Sequence, residues 1–221
     1  MKKRVDVSRK ILIANEEYAI RNNQFLAEQK KLCLNMISSP GSGKTTILVR
    51  TITELKNKIK IGVIEGDIQT DIDARRIKAT KAPAVQIETG GSCHLSAAQV
   101  SGALKNLPVS DLDLIFIENV GNLICPSAFE LGEWGKIVVL SVAEGDDKPA
   151  KYPAIFAKSK VLLINKIDLL TQVDFDIERV KADARKLNKG IEIFPISAKT
   201  GAGFARWYDW LKKSVKNIQG E

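Results

Sequence analysis

The chain has 221 residues, 44% of them hydrophobic and 27% charged, which suits a soluble globular protein with one sizeable core. No apolar run approaches the roughly 18 residues a membrane span needs, and the basic start Met1-Lys2-Lys3-Arg4 leads into no hydrophobic signal region, so a cytoplasmic protein without membrane attachment is expected. The net charge of +8 comes from Lys and Arg interleaved with Asp and Glu, which argues against nucleic acid as a partner, and three cysteines with one histidine argue against a disulfide framework.

Residues 4 to 30 carry Ile11, Ile13, Tyr18, Ile20, Phe25 and Leu26 at mixed three- and four-residue spacing, with Arg9, Lys10, Glu16 and Glu17 between them. The spacing predicts a helix that precedes the first core strand, either packed on the outside of the domain or serving to dock a partner. Residues 1–30 are therefore read as an N-terminal helical extension and residues 31–221 as the nucleotide-binding domain.

Leu32-Cys33-Leu34-Asn35-Met36-Ile37 reads as the first strand, with Cys33 a small buried hydrophobe. Ser38-Ser39-Pro40-Gly41-Ser42-Gly43-Lys44-Thr45-Thr46 follows, and a helix pattern begins at Ile47. Strand, glycine-rich turn, Gly-Lys-Thr and helix is the context of a phosphate-binding P-loop. Gly41 and Gly43 let backbone N–H groups point into one concavity, above the positive end of the helix dipole. The phosphate-binding set is Gly41, Ser42, Gly43, Lys44, Thr45 and Thr46. Lys44 is expected to reach the β- and γ-phosphates and Thr45 to ligate Mg²⁺. Ser38 stands where the general pattern has glycine, and P-loop physics alone does not account for it.

Residues 60–64 form a short strand pattern, followed by the acids Glu65, Asp67, Asp71 and Asp73. Loops at the carboxyl ends of strands face the ligand in open α/β sheets. Asp67, read as the first acid beyond the strand to matter, is assigned to Mg²⁺ or to the attacking water, and with Lys44 makes up the expected catalytic pair. Another strand, residues 83–88, ends at Thr89-Gly90-Gly91-Ser92-Cys93-His94, so the sole histidine sits beside a cysteine at a turn entering a helix.

Residues 112–121 read as an apolar strand ending in the acid Glu118, with Gly121 three residues on. Such an acid holds Mg²⁺ or its water, and the glycine responds to a γ-phosphate. Asn122 occupies the place where some GTPases have a water-orienting glutamine, so slow intrinsic hydrolysis is expected. Cys125 follows closely. After a further strand and the polar loop Glu144-Gly145-Asp146-Asp147-Lys148-Pro149, residues 161–164 lead into Asn165-Lys166-Ile167-Asp168. An N-K-x-D element after a buried strand recognises guanine: the Asp168 carboxylate accepts two hydrogen bonds that adenine cannot offer. Lys166 lies along the base and Asn165 ties loops together. The last strand ends in Ser197-Ala198-Lys199, a turn that offers the Ala198 N–H to guanine O6. The tryptophans of the closing segment, Trp207 and Trp210, read as packing residues.

These motifs together resemble the hydrogenase nickel-incorporation GTPases (the HypB family), within the P-loop proteins that dimerise around nucleotide. The resemblance covers nearly the whole chain. It rests above all on residues 35–46, residues 66–77, Cys93-His94-Leu95, residues 117–126, residues 144–149, Asn165-Lys166-Ile167-Asp168 and Ser197-Ala198-Lys199. It implies a three-layer, Rossmann-like P-loop fold with a mostly parallel sheet, a GTP/GDP and Mg²⁺ site that includes Thr45, Asp67 and Glu118, and hydrolysis of GTP to GDP and phosphate. It also implies a Ni²⁺ or Zn²⁺ site of Cys93, His94 and Cys125 shared across a homodimer promoted by nucleotide, with a nickel-delivery accessory protein and the hydrogenase large subunit as partners. Thiolate and imidazole suit both metals. The chain lacks the Cys-rich or His-rich N-terminal stretch of some family members, and Ser96 stands where the family often has Asp, which puts the surroundings of the metal in question. Two other readings stay open: a GTP-dependent regulatory switch with a structural metal, and a urease-type nickel-insertion GTPase, although the Cys-Pro-His motif expected of the latter is split here into Cys-His and Cys-Pro.

Overall fold

The computed structural model describes residues 7–67 and 72–220, apart from the side chains of residues 7–11, 67 and 72–74. Among the described residues seven strands form one sheet: β1 (Leu32–Ser38), β2 (Ile61–Asp67), β3 (Ala84–Glu88), β4 (Leu114–Glu118), β5 (Gly135–Ser141), β6 (Ser159–Asn165) and β7 (Glu192–Pro195). Their order is β3-β2-β4-β1-β5-β6-β7, and every pairing is parallel. Parallel neighbours need crossovers, and these place helices on both faces of the sheet. The strands β1, β4 and β5 are accordingly buried at every position, which is why they read as largely apolar runs.

The alternation of side chains along β1 sorts the two outer layers. Leu32, Leu34 and Met36 pack with α2 (Lys44–Leu55), Ile77 of α3 (Ile72–Lys78) and α9 (Phe204–Gln219). Cys33 faces the opposite layer with α4 (Ala97–Leu104) and Leu26 of α1 (Val7–Glu28). Ile37 joins a neighbouring cluster against Ile155 and Phe156 of α7 (Pro153–Lys158) and Val180 and Ala184 of α8 (Ile177–Leu187). Two single-turn helices, α5 (Cys125–Ala128) and α6 (Lys148–Lys151), sit in the connecting loops. Trp207 is wholly buried and its indole Nε1 donates to Thr51 Oγ1 at 3.1 Å, so this large side chain anchors α9 to α2 with its polar handle satisfied. Truncating such a residue to Ala costs about 3–5 kcal/mol.

The N-terminal helix forms, but its inner face is not the apolar one that the sequence pattern suggests. The buried line is Asn15, Ala19, Asn22 and Leu26, while Leu12, Ile13, Tyr18, Ile20 and Phe25 are exposed. Hydrogen bonding explains the inversion. Asn22 Nδ2 donates to Ala97 O (2.8 Å) and Leu131 O (2.9 Å), and Asn15 accepts from Ala97 N (2.8 Å) while donating to Glu130 O (2.8 Å). The two asparagines thus satisfy backbone groups at the start of α4 and in the loop before β5 that water would otherwise have to reach. Residues 4–6 of the expected helix lie outside the described residues.

The second strand also runs further than the sequence suggests. It extends through Glu65 to Asp67, because Glu65 pairs with Gln86 of β3 and with Glu118 of β4. Asp67 is therefore the last residue of β2 rather than the first beyond it.

Candidate functional site

The loops after β1, β2, β4, β6 and β7 converge at the carboxyl edge of the sheet, where ligands bind in open α/β folds. The loop after β1 curls over the start of α2 with Gly41 at φ 76° and Gly43 at φ 97°. A side chain at Gly43 would also strike Asn165 Nδ2 at 2.6 Å, so this position demands glycine twice over. A cleft of about 440 Å³ opens beside the loop, lined by Lys44, Thr45, Glu65, Arg76, Glu118 and Gly121 among others. Ser38 Oγ accepts a hydrogen bond from Lys44 Nζ at 2.9 Å and donates to Ser39 O at 2.6 Å. The serine that the P-loop pattern left unexplained therefore holds the lysine. Ser42 Oγ lies 2.6 Å from Glu144 Oε1, which also accepts from Ser141 N at 3.1 Å, and this fixes the loop to the end of β5.

Thr45 Oγ1 donates to Glu118 Oε1 at 2.7 Å, and both residues are buried. A hydroxyl and a carboxylate in contact at the mouth of a phosphate cleft form the all-oxygen donor set that a hard cation such as Mg²⁺ prefers, so the residues present fit that ion. Glu65, 2% exposed, lies beside Glu118 in the strand register and lines the same cleft. The sequence offers Glu65 as one of four acids beyond a strand ending at Ile64 and gives the role to Asp67; the signal for Glu65 is that alternate residues on a strand share a face. The side chain of Asp67 and all of Asp71 lie outside the described residues, as does the side chain of Asp73.

The base end of the cleft is built by β6 and β7. Asn165 Nδ2 donates to Ser42 O (2.8 Å) and its Oδ1 accepts from Ala198 N (3.0 Å), linking the P-loop to the Ser197-Ala198-Lys199 turn. Ser197 Oγ donates to Asp168 Oδ1 at 2.5 Å and orients that carboxylate. Lys166, in the left-handed region at φ 64°, donates from Nζ to Gly41 O at 2.7 Å. Arg50 donates from Nε to Ala198 O (2.9 Å) and from Nη2 to Lys199 O (3.0 Å), bracing the turn from α2.

On the far side of the cleft, Cys93, His94 and Cys125 bring one ligand atom each to within 4.8 Å of one another. Cys93 Sγ is 3.5 Å from His94 Nδ1, and the imidazole stacks on Phe129 with ring centroids 3.8 Å apart. The hydrogen bond with Cys125 raises the pKa of the Cys93 thiol, with burial adding to it, and burial lowers that of His94, which keeps the imidazole neutral and able to ligate. Two asparagines join this triad to the cleft. Asn119, 1% exposed and next to Glu118, accepts through Oδ1 from Leu95 N (3.2 Å) and Val120 N (3.0 Å). Asn122 donates to Cys93 O (3.3 Å) and accepts from Ile124 N (2.9 Å), so its amide is turned to the cysteine loop. Asn119 falls within the 117–126 stretch, but the sequence alone gives it no role. Ser96 is an N-cap: its Oγ accepts from Gln99 N at 3.3 Å and the Gln99 side chain returns to Ser96 N, a capping box on α4. Asp caps helices as readily as Ser, so Ser96 is accounted for by the helix start and not by metal ligation.

Residues 33–195 match the family model described as the CobW/HypB/UreG nucleotide-binding domain. The chain is 50% identical over 208 residues to the hydrogenase maturation factor HypB of Escherichia coli K12, covering 94% of this chain and 72% of that protein. Among solved structures it is similar to HypB from Archaeoglobus fulgidus, at 40% identity and a TM-score of 0.86 over 92% of this chain and 99% of that one. It is also similar to HypB from Helicobacter pylori in complex with nickel, at 37% identity and a TM-score of 0.87 over 92% and 96% of the two chains.

Proposed function

The chain belongs to the HypB hydrogenase maturation factors of the CobW/HypB/UreG nucleotide-binding family, and on that premise we propose that it is a GTP-hydrolysing nickel carrier for [NiFe]-hydrogenase maturation. The observation that carries the reading is the short run from Glu118 to Cys125. It begins at the carboxylate in contact with Thr45 and ends at one of the three clustered metal-ligand residues, with Asn119 and Asn122 bonded to the loop that bears the other two.

Guanine is recognised by Asp168, oriented by Ser197, with Lys166 along the base and Asn165 and Ala198 holding the loops together. The amides of residues 41–46 cradle the phosphates, and Lys44 leaves Ser38 to meet them. Thr45 and Glu118 would hold Mg²⁺, with Asp67 or the buried Glu65 as the acid that orients the attacking water, and the ion would supply charge neutralisation on the phosphates. Hydrolysis is slow because the Asn122 amide is engaged with Cys93 O and Ile124 N rather than with a water in the cleft.

Nickel is cargo. Cys93, His94 and Cys125 supply three ligands, and a second copy of the chain across a two-fold axis completes the coordination. A nickel-delivery accessory protein is the proposed source of the metal, and the hydrogenase large subunit is the proposed recipient. The test is a Ni²⁺ titration of the nucleotide-free, GDP-bound and GTPγS-bound protein, with hydrolysis of Mg·GTP measured alongside. Nickel affinity that differs between the GDP and GTPγS states, and is lost in Cys93→Ala and Cys125→Ala, supports the carrier. Equal affinity in all three states, or binding that survives both substitutions, sinks it.

A further inference from the structure

Three ligand atoms serve one metal ion only if the backbones that carry them keep a fixed spacing. Cys93 and His94 lie between β3 and α4, whereas Cys125 opens α5 between β4 and β5. Strands β3 and β4 lie on either side of β2, so the two ligand-bearing segments leave the sheet a strand apart. Helix α1 reaches across both with two asparagines. Asn15 and Asn22, 8% and 3% exposed, share its inward face. Both bond Ala97, the first residue of α4 and three residues after His94: Asn15 Oδ1 accepts from its N–H at 2.8 Å, and Asn22 Nδ2 donates to its carbonyl at 2.8 Å. That N–H is among the four at the start of a helix that find no partner within it. Both asparagines also bond the segment that continues from Cys125. Asn15 Nδ2 donates to Glu130 O at 2.8 Å and Asn22 Nδ2 to Leu131 O at 2.9 Å, directly after Phe129, whose ring stacks on His94. The approach is close: a Cβ at Gly132 would lie 2.5 Å from Asn22 Cβ and 2.6 Å from Ala19 O.

A second link runs through the core. Asn119, which holds Leu95 N, donates through Nδ2 to Asn35 Oδ1 at 3.2 Å. Asn35 Nδ2 donates to Glu133 Oε1 at 2.9 Å, and Glu133 Oε2 accepts from Leu131 N at 2.7 Å. Leu131 is thus held through its carbonyl by Asn22 and through its N–H by a relay that ends beside His94. We propose that Asn15 and Asn22 are positioning residues of the metal site: by bonding Ala97 on one side and Glu130 and Leu131 on the other, they clamp the segment of Cys93 and His94 against that of Cys125. The proposal rests on the nickel-carrier reading above and adds to it a role for a helix that carries none of the three ligands.

Asn22→Ala and Asn15→Asp are compared with the wild-type chain and with Val215→Ala, which opens a cavity under α9 on the other side of the sheet. The measurements are Ni²⁺ affinity, the thiolate-to-nickel charge-transfer absorption, GDP affinity, melting temperature, and the rate at which dibromobimane bridges Cys93 to Cys125 in the metal-free protein. Asn22→Ala removes a donor to both segments and is expected to weaken Ni²⁺ binding by about tenfold, the lower end of what loss of a ligand-orienting group costs. The charge-transfer absorption shifts, bridging slows, and GDP affinity stays as in the wild type. Asn15→Asp keeps the bond from Ala97 N and loses that to Glu130 O, so it gives the same changes at smaller size. It also carries the test if Asn22→Ala does not fold. Wild-type Ni²⁺ affinity and bridging rate in both variants overturn the proposal. So do equal changes in Val215→Ala, because the effect would then follow from lowered stability alone. If the wild-type chain itself binds no Ni²⁺ through Cys93 and Cys125, the carrier reading fails, and the bridging rate alone decides whether α1 sets the spacing of the two segments.

Discussion

Lys44 Nζ lies 2.9 Å from Ser38 Oγ, so the residue that departs from the P-loop pattern is the one that holds the P-loop lysine. Ser38 ends β1 and is fully buried, which places its hydroxyl beneath the loop. If Lys44 gives up this bond when it meets phosphate, Ser38 competes with nucleotide for the ammonium. Ser38→Ala removes the competitor. With about 1 kcal/mol assigned to the hydrogen bond, nucleotide affinity rises roughly fivefold, and the protein without nucleotide melts a few degrees lower. Titration with a fluorescent GDP analogue checks this. Weaker binding in Ser38→Ala would mean that the serine assists the bound state instead.

The three cysteines differ sharply in environment. Cys33 is 1% exposed, and burial, with the charge of Glu133 adding to it, pushes its thiol pKa far above the ordinary range. Cys93 is exposed and Cys125 half-buried. A thiol reagent must reach the sulfur, so it should label Cys93 and Cys125 in the native protein and reach Cys33 only after unfolding. Ni²⁺ should protect both labelled positions. Mass spectrometry of the alkylated chain reads this directly, and early labelling of Cys33 would contradict the packing of β1.

Much of the site was legible because phosphate and guanine binding need fixed residue types at fixed spacing. Gly43 has a positive φ and no room for a side chain, and Asn165 bonds both the P-loop and the Ser197-Ala198-Lys199 turn; a local motif carries such demands openly. The places of Glu65 in the cleft and of Asn119 beside Leu95 were not legible, because they come from strand register and loop packing, which no short spacing encodes. The seven strands were legible as apolar runs, since a parallel sheet covered on both faces excludes polar residues nearly everywhere. The orientation of α1 was not: periodicity weights apolar residues, whereas Asn15 and Asn22 are buried for their amides.

Gly121 connects the nucleotide end of the molecule to the metal end. A Cβ added there would meet Pro40 Cγ at 2.9 Å and Pro40 Cα and N at 3.1 Å, so the segment carrying Asn122 and Cys125 rests directly on the P-loop backbone. Backbone does not yield as a flexible side chain does, and overpacking of this kind costs about 1–3 kcal/mol. Gly121→Ala should therefore wedge the two apart, weakening GTPγS binding by roughly tenfold or more at that cost. If nickel affinity depends on nucleotide through this contact, the variant's affinity for Ni²⁺ should be the same with GTPγS as with GDP, because the segment can no longer follow the γ-phosphate. Calorimetric Ni²⁺ titrations in the two nucleotide states, at saturating nucleotide, measure the difference. A variant that keeps the wild-type difference while binding GTPγS normally would place the coupling elsewhere, in the Asn119 link to Leu95.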